Sequence, residues 1–175
     1  LLHMINDILD LAKVESGKME AHIESVDISL LLDRLQSQLA PVAEQKGLTF
    51  ETVLENDLPT TFLTDEQRTE QILKNLLSNA FKFTESGSVT LRVDRPDADT
   101  RFSQSGLTLD NTIAFSVIDT GIGIPLSKQD AIFESFQQAD GTTNRQYGGT
   151  GLGLSISRQF ANLLGAEIQL SSCPN

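Results

Sequence analysis

From Leu1 to Glu15 apolar residues recur at helical spacing. Leu1, Met4, Ile8 and Leu11 form one stripe, and Leu2, Ile5, Leu9 and Ala12 form the next. Such a face is wider than a two-position coiled-coil seam and suits a helical bundle. Gly17 ends the helix. A missing helix or a second copy of the chain is expected to cover this face. Met19 to Val26 reads as a short strand, with Met19, Ala21, Ile23 and Ser25 on one face. Asp27 and Ser29 are candidate caps for a helix running to about Gln45, with Leu31, Leu32, Leu35 and Leu39 facing inward. Pro41 inside it allows a kink or an early end, and Gly47 closes it.

Leu48 to Leu54 alternates as a strand, and Thr61 to Leu63 makes another short one. Asp65 to Phe83 is a helix capped by Asp65, with Ile72, Leu73, Leu76, Leu77 and Ala80 as its core stripe. Ser88 to Val93 is a strand, and Arg95 to Leu109 is a polar loop or a ragged hairpin, whose length marks it as the expected flexible insertion. Asn111 to Asp119 is a strand, and Ser127 begins a short helix toward IFESF. Gln137 to Tyr147 reads as a polar, moving loop. Gly151 to Leu164 is the last helix, ended by Gly165, and Ala166 to Leu170 begins a strand.

Composition narrows the chemistry. A net charge of -11 argues against nucleic acid as a partner, which needs clustered Lys and Arg. An anionic ligand then needs a local answer: a metal ion, a helix terminus or a placed cation. The single Cys173 excludes an internal disulfide and suits a reducing cytoplasm. No apolar run reaches membrane-span length, so no membrane contact is expected of these residues. The start, LLHMINDILD, does not read as a signal peptide. The chain reads as a fragment of something longer, either free in the cytoplasm or the cytosolic part of an inner-membrane receptor.

Two stretches carry the candidate chemistry. VIDTGIGIP is a strand end that delivers Asp119 into Gly121 and Gly123, where the backbone turns tightly and a ligand can approach closely. GGTGLGL places glycines just before a helix, whose free N–H groups suit a phosphate. Either alone is a common turn. On the helix before them, Asn75 and Asn79 lie one turn apart, with Lys82 on the same side. Asn is a mediocre helix former, so the pair reads as a ligand-facing row. Its amide oxygens are hard donors that suit Mg²⁺.

These residues resemble a known family. NLLSNAFKFT (Asn75 to Thr84), DTGIGI (Asp119 to Ile124), IFESF (Ile132 to Phe136) and GGTGLGL (Gly148 to Leu154) are similar, in order, to the N, G1, F and G2 boxes of sensor histidine kinases. INDILDLAKVESGKM resembles the end of that family's second dimerisation helix. FQQAD around Phe136 is similar to hybrid kinases, which carry a receiver domain. The resemblance implies an α+β chain: a two-layer α/β sandwich of the Bergerat type with a mixed sheet, preceded by an N-terminal helix. It implies residues 1–17 as the end of the dimerisation helix, 18–26 as linker, and 27–175 as an ATP-binding domain whose last strand is cut short.

The cofactors it implies are ATP and Mg²⁺. Asp119 would accept a hydrogen bond from the adenine amino group. Gly121, Gly123 and Ile124 would form the turn beside the nucleotide. Asn79 would hold Mg²⁺, with Asn75 beside it and Lys82 near the phosphates. Phe83 would stack or shield. Phe133 and Phe136 would anchor a mobile lid. Gly149, Thr150, Gly151, Leu152 and Gly153 would line the triphosphate. Arg145 lies in the lid within reach of a phosphate. The implied partners are a dimerisation and phosphotransfer domain, a second copy of the protein, and a response-regulator receiver. No catalytic residue is placed in the fragment itself. Neither His3 nor His22 matches the phosphoacceptor, so the chain alone is expected to bind ATP without autophosphorylating.

Two other readings compete. Hydrolysing ATPases of the same superfold, such as gyrase, Hsp90 and MutL, use a glutamate where this chain has Asn75, and an amide cannot take a proton. A nucleotide-sensing or dimerising module without transferase chemistry is the other. No GxxxxGK[ST] loop is present.

Overall fold

The computed structural model describes residue 9 and residues 12–14, 16–134 and 151–173. The chain divides into two compact units, His22–Ile122, and Leu1–Ala21 with Gly123–Asn175.

The first unit opens on β1 (Glu24–Asp27), which pairs antiparallel with β3 (Thr61–Thr64) from Glu24↔Thr64 to Asp27↔Thr61. The strand expected over Met19 to Val26 is therefore shorter, and it buries the other face. Val26 is 4% exposed, whereas Ile23 is 52% exposed. Alternation cannot choose between faces; the partner strand sets the register.

Asp27, rather than Ser29, caps α1 (Ile28–Lys46), accepting from the Leu30 N–H at 3.0 Å. Ile28, Leu31, Leu32 and Leu35 are buried, and Leu39 packs against them. Pro41 lies inside α1, yet the helix runs on to Lys46. Burial of the leucines and of Ala43 offsets the lost backbone bond. Gly47 then turns left-handed (φ 69°), its N–H bonding Glu44 O while the Leu48 N–H bonds Ala43 O, each at 3.0 Å. These are the paired bonds of a Schellman cap, with Ala43 and Leu48 both in the core.

β2 (Thr49–Leu54) pairs parallel with β4 (Ser88–Asp94), and β4 pairs antiparallel with β5 (Ala114–Asp119). The result is a mixed sheet of order β2-β4-β5. Central β4 buries Val89, Leu91 and Val93 against the apolar faces of α1 and α2 (Glu66–Phe83). This is the expected sandwich of helices on a mixed sheet. β5 starts at Ala114 rather than Asn111. The Asn111 side chain accepts from the Thr108 N–H and donates to Gly106 O, each at 2.8 Å, and so holds a turn. Arg95 ties the same polar loop through Asp110 O at 3.1 Å and Thr112 O at 3.2 Å.

In α2, Leu73, Leu77 and Ala80 are buried as expected, while Ile72 and Leu76 are half-buried. Phe81 joins the core, edge-to-face with Phe50 at 5.1 Å. Asp65 caps α2 as expected and does more. Its Oδ1 accepts from the Arg68 N–H at 3.0 Å and its Oδ2 from the His22 N–H at 2.9 Å. One buried carboxylate thus starts α2 and tethers the segment before β1.

In the second unit, Leu9 and residues 12–14 are helical, and the Gly17 N–H closes the turn on Val14 O at 2.9 Å. Leu9 is 51% exposed. The remainder of the expected helix, His3 included, lies outside the described residues, as do Gln137 to Tyr147. A short helix, α3 (Leu126–Gln129), is followed by a 3-10 turn at Ala131–Phe133, and α4 spans Gly153–Leu163. The strand expected at Ala166 to Leu170 does not form. Alternation marks a segment able to join a sheet, but a strand exists only once its backbone groups find a ladder partner. No helix among the described residues is long and apolar enough to cross a membrane.

Replacing Asp65 with Ala is expected to cost about 2 kcal/mol, since a helix cap and a second backbone bond are lost together. Urea unfolding measures this; a loss within about 0.5 kcal/mol, the spread of ordinary surface changes, would show the tether to be idle.

Candidate functional site

The expected site residues fall on both units. In the first, Asn75, Asn79, Lys82 and Phe83 occupy the last turns of α2, all half-buried. The core stripe of α2 fixes their direction, because Leu73, Leu77 and Ala80 turn inward. The Lys82 Nζ lies over the Phe83 ring, 4.8 Å from its centroid. Burial pushes the Lys82 ammonium below the usual lysine range, because desolvation disfavours its charge.

β5 ends at Asp119, which is exposed. Asp119 Oδ1 accepts from the Gly121 N–H at 2.9 Å, an Asx-type turn that fixes the carboxylate. Oδ2 takes no part in that turn. Gly121 sits hard against the end of α2. A Cβ there would lie 2.5 Å from Phe83 O and 2.8 Å from Asp119 Oδ1, too close for any side chain. The next residue completes the join, the Ile122 N–H bonding Phe83 O at 3.3 Å. Thr120 adds a second tie: its hydroxyl accepts from the Ser88 N–H at 3.0 Å, and its own N–H bonds Ser88 O at 3.2 Å. Thr84, almost fully buried, bonds Ala80 O through its hydroxyl at 2.8 Å and closes α2. The first unit therefore carries a turn-held carboxylate at the end of β5, and two amides and an ammonium along the last turns of α2, whose end is joined to the chain after β5 at Phe83 O. Sequence reasoning found these four groups but missed Thr84, Thr120 and the Phe83 carbonyl. The only available signal was the polar run TESGS after the helix, which resembles any turn.

In the second unit, Gly123 has φ 67°, and the Ile124 N–H bonds Ser172 Oγ at 2.9 Å. Gln129 Nε2 donates to both Ile124 O and Ser172 O at 2.9 Å. Phe133 lies in the 3-10 turn with the Arg158 guanidinium 5.3 Å from its ring centroid, a contact the sequence did not suggest. Gly151, Leu152 and Gly153 lead into α4. No side chain caps that helix start, and its first turn carries no acid. Its leading N–H groups therefore suit an anion. Phe136, Arg145, Gly149 and Thr150 lie outside the described residues.

Among the described residues no cluster of three or more His, Cys, Asp or Glu side chains could hold a metal. The residues that fit a hard cation here are Asn75 and Asn79, as neutral oxygen donors that leave most ligand positions to water and phosphate.

Comparison with known proteins decides the family. The model described as "Histidine kinase-, DNA gyrase B-, and HSP90-like ATPase" matches residues 64–175. The chain belongs to this family. Among curated relatives, the signal transduction histidine-protein kinase BarA of Escherichia coli (strain K12) is 38% identical over all of the chain and 18% of its own length. The circadian input-output histidine kinase CikA of Synechococcus elongatus is 43% identical over 98% of the chain and 21% of its own. The chain thus spans about a fifth of the length of these relatives. The crystal structure of full-length ShkA in complex with AMPPNP superposes with a TM-score of 0.75 at 34% identity, covering 94% of this chain and 31% of that one. Within the family the chain is a catalytic ATP-binding domain of the sensor histidine kinase type.

Gly121→Ala is expected to destabilise the domain by about 1–3 kcal/mol through overpacking against the α2 terminus. Urea unfolding reads the loss directly. A neutral substitution would mean that the end of β5 is not held against Phe83.

Proposed function

We propose that the chain binds MgATP and passes its γ-phosphoryl group to a histidine on a dimerisation domain, from which a response-regulator receiver takes it. The observation that supports this reading best is the turn-held Asp119 joined through Gly121 to the helix end that carries Asn79 and Lys82. A fixed carboxylate acceptor suits the amino group of adenine. The amides and the ammonium suit the phosphate end.

Each residue has a distinct task. Asp119 accepts from the adenine amino group. Gly121 and Gly123 keep the backbone close to the base. Asn79, with Asn75 beside it, holds Mg²⁺, which when bound supplies most of the charge neutralisation. Lys82 adds a cation, and Gly151 to Gly153 offer N–H groups to the phosphates. Phosphoryl transfer asks mainly for such positioning and charge stabilisation. In a chain of net charge -11 these local positive centres are what make a polyphosphate ligand feasible. Phe133, with Phe136, anchors a lid. Asn75 cannot act as a base toward water, which favours transfer over hydrolysis. We assign residues 1–17 to the dimerisation helix, 18–26 to a linker and 27–175 to the catalytic domain, with a cytoplasmic location and a dimeric full protein.

The test supplies radiolabelled MgATP to the chain together with a separate dimerisation fragment bearing the acceptor histidine. Label is expected on that histidine, and Asp119→Ala or Asn79→Ala should lower its rate at least about 100-fold, the scale for losing an essential electrostatic or binding group. Label that is absent with the unaltered chain, or that persists in both variants, would sink the reading. Affinity for ATP should also depend on pH. Burial lowers the Lys82 pKa, so its attraction for phosphate is lost on raising pH at a point below the ordinary value of 10.5. Calorimetric titrations across alkaline pH should show ATP affinity falling there in the unaltered chain and flat in Lys82→Met.

A further inference from the structure

Just past the glycines of DTGIGI, side chains hold the backbone in place of a helix or a ladder. The Ile124 N–H bonds Ser172 Oγ at 2.9 Å, and Ile124 O accepts from Gln129 Nε2 at 2.9 Å. The same nitrogen donates to Ser172 O at 2.9 Å. These bonds close a ring among Ile124, Gln129 and Ser172, all half-buried. The ring is chemically specific. A primary amide carries two N–H donors on one planar nitrogen, and here they meet two carbonyl oxygens. A carboxylate of the same shape would set acceptors against acceptors. The Ser172 hydroxyl takes the backbone donor that is left. Gln129 ends α3, a helix of four residues with no capping side chain, so local structure gives little reason for this residue type.

Gly123 immediately precedes this ring and is left-handed (φ 67°). Glycine moves between backbone basins at little cost, so its turn is only as fixed as its neighbours. Before it, the Ile122 N–H bonds Phe83 O at 3.3 Å; after it, both backbone polar groups of Ile124 are taken. Resting on the ATP-binding reading above, we infer that Gln129 and Ser172 are positioning residues for the adenine end of the ligand: together they hold the backbone at Ile124, and through it the Gly123 turn, in the form that meets the base. A turn fixed before binding spares the complex the entropy of ordering it. Both residues lie outside the four boxes. The segment after α4, which forms no strand, thus serves the ligand through Ser172.

Calorimetry with Mg²⁺ would measure ATP and adenosine against the unaltered chain, Gln129→Met, Gln129→Glu, Ser172→Val and Ser172→Thr. Gln129→Met keeps the length of the side chain and loses both donors. It should weaken ATP and adenosine by the same factor, about three- to ten-fold, the scale of one hydrogen bond. Gln129→Glu should be weaker still, because its carboxylate opposes two carbonyls. Valine and threonine share a shape and differ by the hydroxyl. Ser172→Val should lose about three- to ten-fold for both ligands, while Ser172→Thr stays within about two-fold of normal. A role in packing alone would not separate that pair. Unchanged affinity in Gln129→Met and Ser172→Val, a loss for ATP without one for adenosine, or equal behaviour of the two Ser172 variants would overturn the inference. If circular dichroism shows the Gln129 variants unfolded, the Ser172 pair decides. Failure of the unaltered chain to bind either ligand would instead remove the nucleotide reading, and this inference with it.

Discussion

The joined ends of β5 and α2 depend on one contact, between the Phe83 carbonyl and the backbone at Gly121. No residue with a Cβ fits there, because the carbonyl lies where that carbon would be. The contact does three things together. It satisfies an acceptor at the C-terminus of a helix, where four carbonyls lack intrahelical partners. It sets the backbone that donates from Gly121 to Asp119. It also ties the acid-bearing strand to the helix that carries Asn75, Asn79 and Lys82. A carboxylate and a row of amides are ordinary taken singly. Here one joint ties the strand that bears the carboxylate to the helix that bears the amides.

The joint needs a stiff frame on both sides. β4 is the centre of the mixed sheet, and its three inward residues are fully buried. Its pairing with β5 places Asp119 opposite Val89, at the sheet edge where α2 has just ended. Phe81 anchors the helix two residues before the joint by packing on Phe50, while Lys46 bonds the Phe81 carbonyl at 2.7 Å. At the other end of α2, Asp65 spends both carboxylate oxygens on backbone N–H groups. The helix is thereby pinned at its start and through its last turn, which suits an element whose polar face must present groups at fixed positions.

An acidic domain that handles a polyphosphate faces a charge conflict. Its net charge repels the ligand at long range, but screening confines that repulsion to about 8 Å at physiological salt. Short-range groups then decide. On the proposed reading, those of the first unit are neutral amides and one partly desolvated lysine.

The sequence by itself determined the elements with strong patterns and the chemistry written into them. Asp27 and Asp65 as caps, Gly47 as a terminator, the α1 and α2 stripes and the β4 alternation were all legible, because capping and periodicity are local properties of a few neighbouring residues. The four boxes were legible for the same reason, and with them the family. What lay beyond reach was everything requiring a partner distant in the chain. Val26 rather than Ile23 turns inward because β3 sets the register. Residues 166–170 alternate yet form no strand, because no ladder partner completes them among the described residues. Phe83 was read as a stacking or shielding ring, while its structural weight lies in a carbonyl that every residue possesses and no sequence pattern reveals. Hydrogen bonds between segments and the exclusion of a Cβ are decided by tertiary proximity, which one-dimensional order does not encode locally.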